Sequence, residues 1–525
     1  MTEQDFLAII QAQTHTIESL QQTIENLNET VEQFKRMIFG ASSEKSSAKD
    51  SLDILGQLNL FNDVEDLAVE TPVEPSVAEI LADAKQASAP TEPKKNKSTK
   101  EERFSSFVEK KETLLEGNVG EDICDICGET MSEFATEVAY EEIEVIPARI
   151  IRHIFLRKAF LCQACKADDV TSIQRQTIPK RLIPGSAASA SAVSYTMYQK
   201  YVNAMPLYRQ EQDWKLMGVH LTRATLANWV NTCSITYLNT LYELLHQKLI
   251  LQEVLLADET PCQVLKEKGR TPQQKSYMWC YRTSDYATEP IILYEYQPGR
   301  SGEYAETFLG EDFDGFLQTD GYSGYNRLKH VTRCGCFAHT RRKMLEAVPK
   351  KNNTGKHTAA EIGLAFCDKL FFLERDYKNL TPDERKAQRL IHSKPVMEAF
   401  WRWLNTLNPP SGSKLAMAVT YAKNQRPYLE NILKDGRVGL STNLVENSIR
   451  PFTIGRKNFL FFDTPKGATA GQIIYSLVET AKANNVNPRL YLETILTYMP
   501  GYQNEPAGIE QLLPWSDFIV ERCKG

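Results

Sequence analysis

Apolar residues at Ile10, Ile17, Leu20, Ile24, Leu27, Val31, Phe34 and Ile38 recur in steps of seven, three and four with polar residues between them. This is the a/d spacing of a coiled coil, with Gln13 in the one missing d place. The pattern predicts a zipper-like helix over residues 1–45 through which copies of the chain associate; a single amphipathic helix docked on its own protein has the same period. From 46 to 110 the chain turns acidic, then Pro-rich, and ends in "EPKKNKSTKEER", with too little periodicity for a core, so a flexible linker is expected. The segment "YEEIEVIPARIIRHIFLRKAFLC" alternates apolar and polar residues as strands do, within a module spanning 111–180. Helical periodicity resumes over 181–250. From Glu253 the period shifts to strand: "EVLLADET", "SYMWCYRT", "PIILYEYQ" and "GFLQTDGYSGY" are four β-rich runs, and "HVTRCGCFAHTRRKMLEAV" reads as a strand entering a helix. Three successive strands, a helical crossover near "EYAETFL", then further strands and a helix give the order of a ribonuclease-H-like fold over 251–480, followed by a C-terminal extension over 481–525. The expected fold class is therefore multidomain α+β.

Composition narrows the class. The 525 residues suit three or four domains, and a hydrophobic content of 42% with 24% charged residues is ordinary for a globular chain. No run of about 18 apolar residues occurs, and the start "MTEQDFLAII" has an acid where a secretory signal carries positive charge, so a cytoplasmic protein without a membrane partner is expected. A net charge of −6 argues against a uniformly basic nucleic-acid coat but leaves room for local basic surfaces.

Eleven cysteines spread over this length form no disulfide framework. Four fall in two Cys-x-x-Cys knuckles, Cys124 and Cys127, then Cys162 and Cys165. Two such knuckles supply the four thiolates of a closed tetrahedral Zn²⁺ site, which leaves no open catalytic position, so the metal is read as structural. Downstream, "PLYRQEQDWKLMGVHLTRATLANWV" has a helix ending at Gly218, a short turn with Val219 and Leu221, and Thr222 opening a second helix. These are the proportions of a helix-turn-helix whose second helix offers Arg223 and Asn228 to a DNA groove; the pattern fits a helical hairpin in an all-α domain equally well.

Asp258 lies on the first predicted strand and Asp320 ends the fourth, so neighbouring strands bring both acids to one sheet end. Successive side chains on a strand face opposite ways, which separates Asp258 from its neighbour Glu259. Glu446 lies in "STNLVENSIRPFTIGRKNFLFF", where Asn443, Glu446 and Arg450 share a helical face. Three carboxylates brought together suit two Mg²⁺ (or Mn²⁺) ions about 3.5–4 Å apart for phosphoryl transfer, while Arg450, Arg456 and Lys457 suit a nucleic-acid backbone.

These motifs together resemble a known family over nearly the whole chain: the large, DDE-type transposase of the insertion-sequence-66 group of bacterial mobile elements. The resemblance rests on the zipper ending "FKRMIFGASSEK", the four zinc cysteines, the helix-turn-helix segment, "LLADETP", "TDGYSGYNRL", "CFAHTRRKM" and "NLVENSIRPFTIGRKNFLF". It implies that Asp258, Asp320 and Glu446 are the metal-binding DDE acids, with a helical insertion at about 350–435 between the second and third. It further implies cleavage at terminal inverted repeats to free 3′-hydroxyls that attack target DNA, hence double-stranded DNA as partner and nucleoid association when bound. Small accessory proteins of the same element are implied as further partners.

Cys336 and His339 resemble the Cys-x-x-His element that follows the second aspartate in many DDE enzymes. A supporting role at the active site is expected there, against a second metal site with the adjacent Cys334. Arg341, Arg342 and Lys343 then become candidate phosphate contacts, against a solvated basic helix face. Two other readings use the same residues: a ribonuclease-H-like nuclease or resolvase without strand transfer, and a zinc-containing DNA-binding regulator with an inactive catalytic fold.

Overall fold

A computed structural model describes residues 126, 129, 150–161, 173–349, 357–502 and 507–524. The coiled-coil segment, the linker and the four knuckle cysteines Cys124, Cys127, Cys162 and Cys165 lie outside the described residues. The described chain is α+β, in two compact units. In the smaller, β1 (Ala159–Leu161) pairs antiparallel with β2 (Ile173–Arg175).

The larger unit joins Lys180–Glu211 to Leu221–Lys524 and centres on a mixed five-stranded sheet. Its strands are β3 (Val254–Gln263), β4 (Lys275–Thr283), β5 (Ile292–Gln297), β6 (Phe316–Gln318) and β7 (Thr332–Cys334), in the order β5-β4-β3-β6-β7. β3, β4 and β5 form an antiparallel meander, whereas β6 pairs in parallel with β3 and β7 in parallel with β6. A parallel return needs a crossover, and α5 supplies it; the helices before the sheet are α1 (Ala190–Tyr201), α2 (Leu207–Leu216), α3 (Arg223–Cys233) and α4 (Asn239–Ile250), and α5 is Gly302–Leu309. Gly302 is required where α5 begins, because a Cβ there would sit 2.0 Å from the carbonyl oxygen of Gly324.

Thr222 caps α3 by accepting from the Thr225 amide, and Gly218 takes a left-handed φ of 84° in the preceding turn. The expected boundary at 250/251 is no break in packing: Tyr242 donates to the Tyr294 carbonyl at 2.9 Å, and His246 Nε2 lies 2.7 Å from the Phe308 carbonyl.

After β7 come α6 (Phe337–Ala347), then α7 (Ala359–Asp376), α8 (Pro382–Gln388), α9 (Lys394–Thr406) and α10 (Lys414–Leu429). Phe337 and Met344 of α6 share one core with Phe366, Leu370, Phe400, Trp401 and Leu429 of these helices. A buried ion-pair network fixes the segment. Glu374 accepts from Arg385 at 2.7 Å and from Arg389 at 2.6 Å, and the fully buried Arg389 also donates to the carbonyls of Ile432, Asp435 and Val438. Those carbonyls belong to the segment that leads into α11 (Asn443–Phe459).

α12 (Pro465–Ala483) covers the edge strand β5. Gln472, Ser476 and Thr480, spaced at i, i+4 and i+8 on one face, accept from the amides of Tyr296, Tyr294 and Ile292 at 3.0, 2.8 and 3.0 Å. The outward row of β5 donors is thus satisfied by side chains, which closes an edge otherwise open to strand addition. The boundary expected at 480/481 falls inside this helix, and α13 (Pro488–Tyr502) and α14 (Asp517–Cys523) follow. Among the described residues no helix is long and apolar enough to cross a membrane.

Candidate active site

The sheet brings the two aspartates together by register. Leu256 of β3 lies opposite Gln318 of the parallel strand β6; Asp258 and Asp320 each follow two residues later, at the same end of adjacent strands. β6 is shorter than the run "GFLQTDGYSGY" suggests, so Asp320 lies just beyond it. There the Asp320 carboxylate accepts from the Tyr322 amide at 2.9 Å, an Asx turn that ends the strand. Arg333 fixes the same turn, donating to the Asp320 carbonyl at 2.6 Å and to the Thr319 hydroxyl at 3.0 Å.

Asp258 and Glu259 meet opposite environments. Glu259 is buried and paired, accepting from Arg300 Nε and from the Tyr325 hydroxyl, both at 2.7 Å. Among the described residues Asp258 accepts from the Glu259 amide alone, at 2.9 Å. Burial, followed by the neighbouring carboxylates of Glu259, Asp320 and Glu446, pushes its pKa up to about 7.

Glu446 stands in the first turn of α11, which is held at both ends. Arg282 of β4 donates to the Leu444 carbonyl at 3.2 Å and to the Ser448 hydroxyl at 2.7 Å, and Arg456 donates to the Thr260 hydroxyl at 3.0 Å. Gln318 joins the β6 end to the lead-in of α11, donating to the Gly439 carbonyl at 2.6 Å and the Gly335 carbonyl at 3.2 Å. The Phe337 amide of α6 donates to the Leu440 carbonyl at 3.0 Å.

Cys336 and His339 gather around Glu446. Cys336 Sγ lies 3.2 Å from both the amide and the hydroxyl of Thr442, and that hydroxyl lies 2.9 Å from Glu446 Oε1. His339 Nε2 is 4.0 Å from Glu446 Oε1, and Arg342 is 3.8 Å from Oε2. Burial opposes ionisation of Cys336, but His339 and Thr442 outweigh it and hold the thiol below its ordinary pKa; the neighbouring Cys336 thiol, against burial, raises that of His339. Cys334 is apart from them, on β7 in the apolar core, where burial pushes its thiol up to about 12.

The other expected contact residues are placed as follows. Arg341 is paired with Asp368, Lys343 lies 4.9 Å over the Tyr421 ring, and Arg456 is tied to β3. Arg450 and Lys457 are exposed on α11, as is Asn443, expected from the sequence as active-site support. On α3, the Arg223 amide donates to Glu211 at 3.2 Å, and the Asn228 side chain accepts from Thr232 at 3.4 Å. Sequence reasoning missed Thr442, Gln318, Arg300 and Arg333. Gln318 and Thr442 have a usable signal, lying two residues before Asp320 and four before Glu446; Arg300 and Arg333 act through long-range contacts that no local pattern announces.

A sequence profile described as "Transposase IS66 family" matches residues 185–470, one for the "IS66 C-terminal element" matches 476–515, and one described as "Transposase C of IS166 homeodomain" matches 26–105. The chain is 29% identical over 430 residues to uncharacterized protein y4qI of Sinorhizobium fredii, covering 79% of this chain and 76% of that one. It is 28% identical to uncharacterized protein y4jD of the same organism, covering 75% and 78%, and 25% identical to uncharacterized protein y4hP, also from that organism, covering 92% and 86%. The first profile spans more than half of the chain and contains Asp258, Asp320 and Glu446, and the protein accordingly belongs to the IS66 family of transposases.

Proposed function

We propose that the chain is a metal-dependent DNA transposase that binds the terminal inverted repeats of its element, frees 3′ ends and joins them to target DNA through Asp258, Asp320 and Glu446. The shared register of Asp258 and Asp320 at the ends of two parallel strands, with Glu446 near enough to raise the Asp258 pKa, carries this reading. The strand order supports a ribonuclease-H-like catalytic domain.

The donors are hard carboxylate oxygens whose mutual repulsion a divalent cation would relieve, so Mg²⁺ or Mn²⁺ fits Asp258, Asp320 and Glu446. Bound there, the ions would stabilise negative charge on the attacking and leaving oxygens of phosphoryl transfer. The chain's own residues hold the acids and the DNA. Arg333 and the Asx turn fix Asp320, Arg282 and Gln318 fix the approach of α11, and Arg300 removes Glu259 from the set of free acids. Exposed Arg450 and Lys457, with Arg342, bind backbone phosphates; α3 offers Arg223 and Asn228 to a groove. Arg341 and Arg456 contribute by holding helices in place.

The reading includes structural Zn²⁺ on Cys124, Cys127, Cys162 and Cys165, self-association through residues 1–45, accessory proteins of the same element and a cytoplasmic, nucleoid-associated location. Incubating the chain with labelled element-end DNA, target duplex, Mg²⁺ and those accessory proteins tests it. Wild type should give joined product and Asp320→Asn none; equal joining by both would remove the triad, and cleavage without joining would make the protein a nuclease.

A further inference from the structure

We infer that Cys336, His339 and Glu446 form a second cation site, one for a thiophilic divalent ion of the Zn²⁺ class, which shares Glu446 with the hard-ion site. The donors come from two helix starts. Cys336 is the N-cap of α6 and His339 lies in its first turn, while Glu446 lies in the first turn of α11. One ligand atom from each residue lies within 4.8 Å of the other two. In tetrahedral zinc coordination such sulfur, nitrogen and oxygen donors stand about 3.3–3.6 Å apart, so modest side-chain rotation closes the set.

Two observations go beyond proximity. Among the described residues the buried Nδ1 of His339 has no hydrogen-bond partner, a costly state for a ring nitrogen out of water. The Thr442 amide lies 3.2 Å from Cys336 Sγ, and its hydroxyl lies 3.2 Å from the same sulfur and 2.9 Å from Glu446 Oε1, the kind of outer contact that orients metal ligands. Three protein ligands leave a fourth position for water or a substrate oxygen.

The ligand chemistry differs from that of the aspartates. A thiolate and an imidazole favour Zn²⁺, Co²⁺ or Cd²⁺ over Mg²⁺. The consequence rests on the proposed role of Glu446: a carboxylate drawn to Cys336 and His339 is withdrawn from Asp258 and Asp320, so free zinc would hold the triad open.

Zinc per chain, measured on the purified full-length protein equilibrated with buffered free Zn²⁺, tests the site without any DNA reaction. Wild type should hold one equivalent more than Cys336→Ala and one more than His339→Gln, because the four-cysteine module contributes equally to all three. Far-UV circular dichroism confirms that each variant is folded, and the second variant serves if the first is not. With Co²⁺ as probe, the difference spectrum of wild type minus His339→Gln should carry thiolate-to-metal charge transfer. Equal zinc content across folded chains would overturn the site. An extra equivalent in a protein that joins no DNA would keep the site and reject the transposition reading, so the two failures are distinguishable.

Discussion

Asp258 and Glu259 are neighbours with opposite fates, and the alternation of a strand makes their separation legible in the sequence. The identity of the pairing partners was not legible, since Arg300 lies 41 residues from Glu259 and Tyr325 lies 66 away. Glu295 on β5 is another acid whose state comes only from packing. Burial drives its pKa from 4.5 to about 8, although Gln297 and Tyr281 hydrogen-bond it; Tyr242 of α4 also faces it. A raised carboxyl pKa means that the folded state holds the proton more tightly, so this group's contribution to stability is present below about pH 4.5 and is lost as pH rises through 8. Glu295→Gln keeps the shape and removes the titration. The variant should gain on wild type by a few kcal/mol between about pH 5 and about pH 9 in urea melts; a difference that does not change with pH would contradict a protonated Glu295.

At the scale of elements, periodicity located the strands and helices that carry the site, but it placed the end of the fourth strand too late. The Asx turn at Asp320 stops β6 at Gln318, and side-chain bonds of this kind leave only a weak local trace. The stripe Gln472, Ser476 and Thr480 is visible in the sequence as a polar i, i+4, i+8 row, yet its purpose appears only with β5 beside it. Arg389 illustrates the same limit. A fully buried arginine in a helical segment reads as surface until Glu374 and three carbonyls are found around it. Arg389→Ala should cost about 3–5 kcal/mol, because it leaves the buried Glu374 with Arg385 alone and takes the donor from the carbonyls of Ile432, Asp435 and Val438. Removing Glu374 in the same chain should recover part of that loss; a loss below about 1 kcal/mol in the single variant would show that the pair does not hold the segment before α11.

At the scale of the molecule, the proposed site depends on three parts of the chain far apart in sequence: β3 carries Asp258, the turn after β6 carries Asp320, and α11 brings Glu446 from beyond the five helices α6 to α10. Motif order put these acids forward as candidates; the packing around them was not legible, because the boundaries read from the sequence at 250/251 and 480/481 separate α4 from the sheet against which it packs and cut through α12. The most direct test of the central claim, that these acids hold hard divalent ions for DNA joining, is a metal switch at Asp320. A thiolate binds Mn²⁺ far better than Mg²⁺. Strand transfer by Asp320→Cys, measured in each ion beside wild type, should be absent in Mg²⁺ and restored in part by Mn²⁺, while wild type joins in both. Full joining by Asp320→Cys in Mg²⁺ would contradict the account.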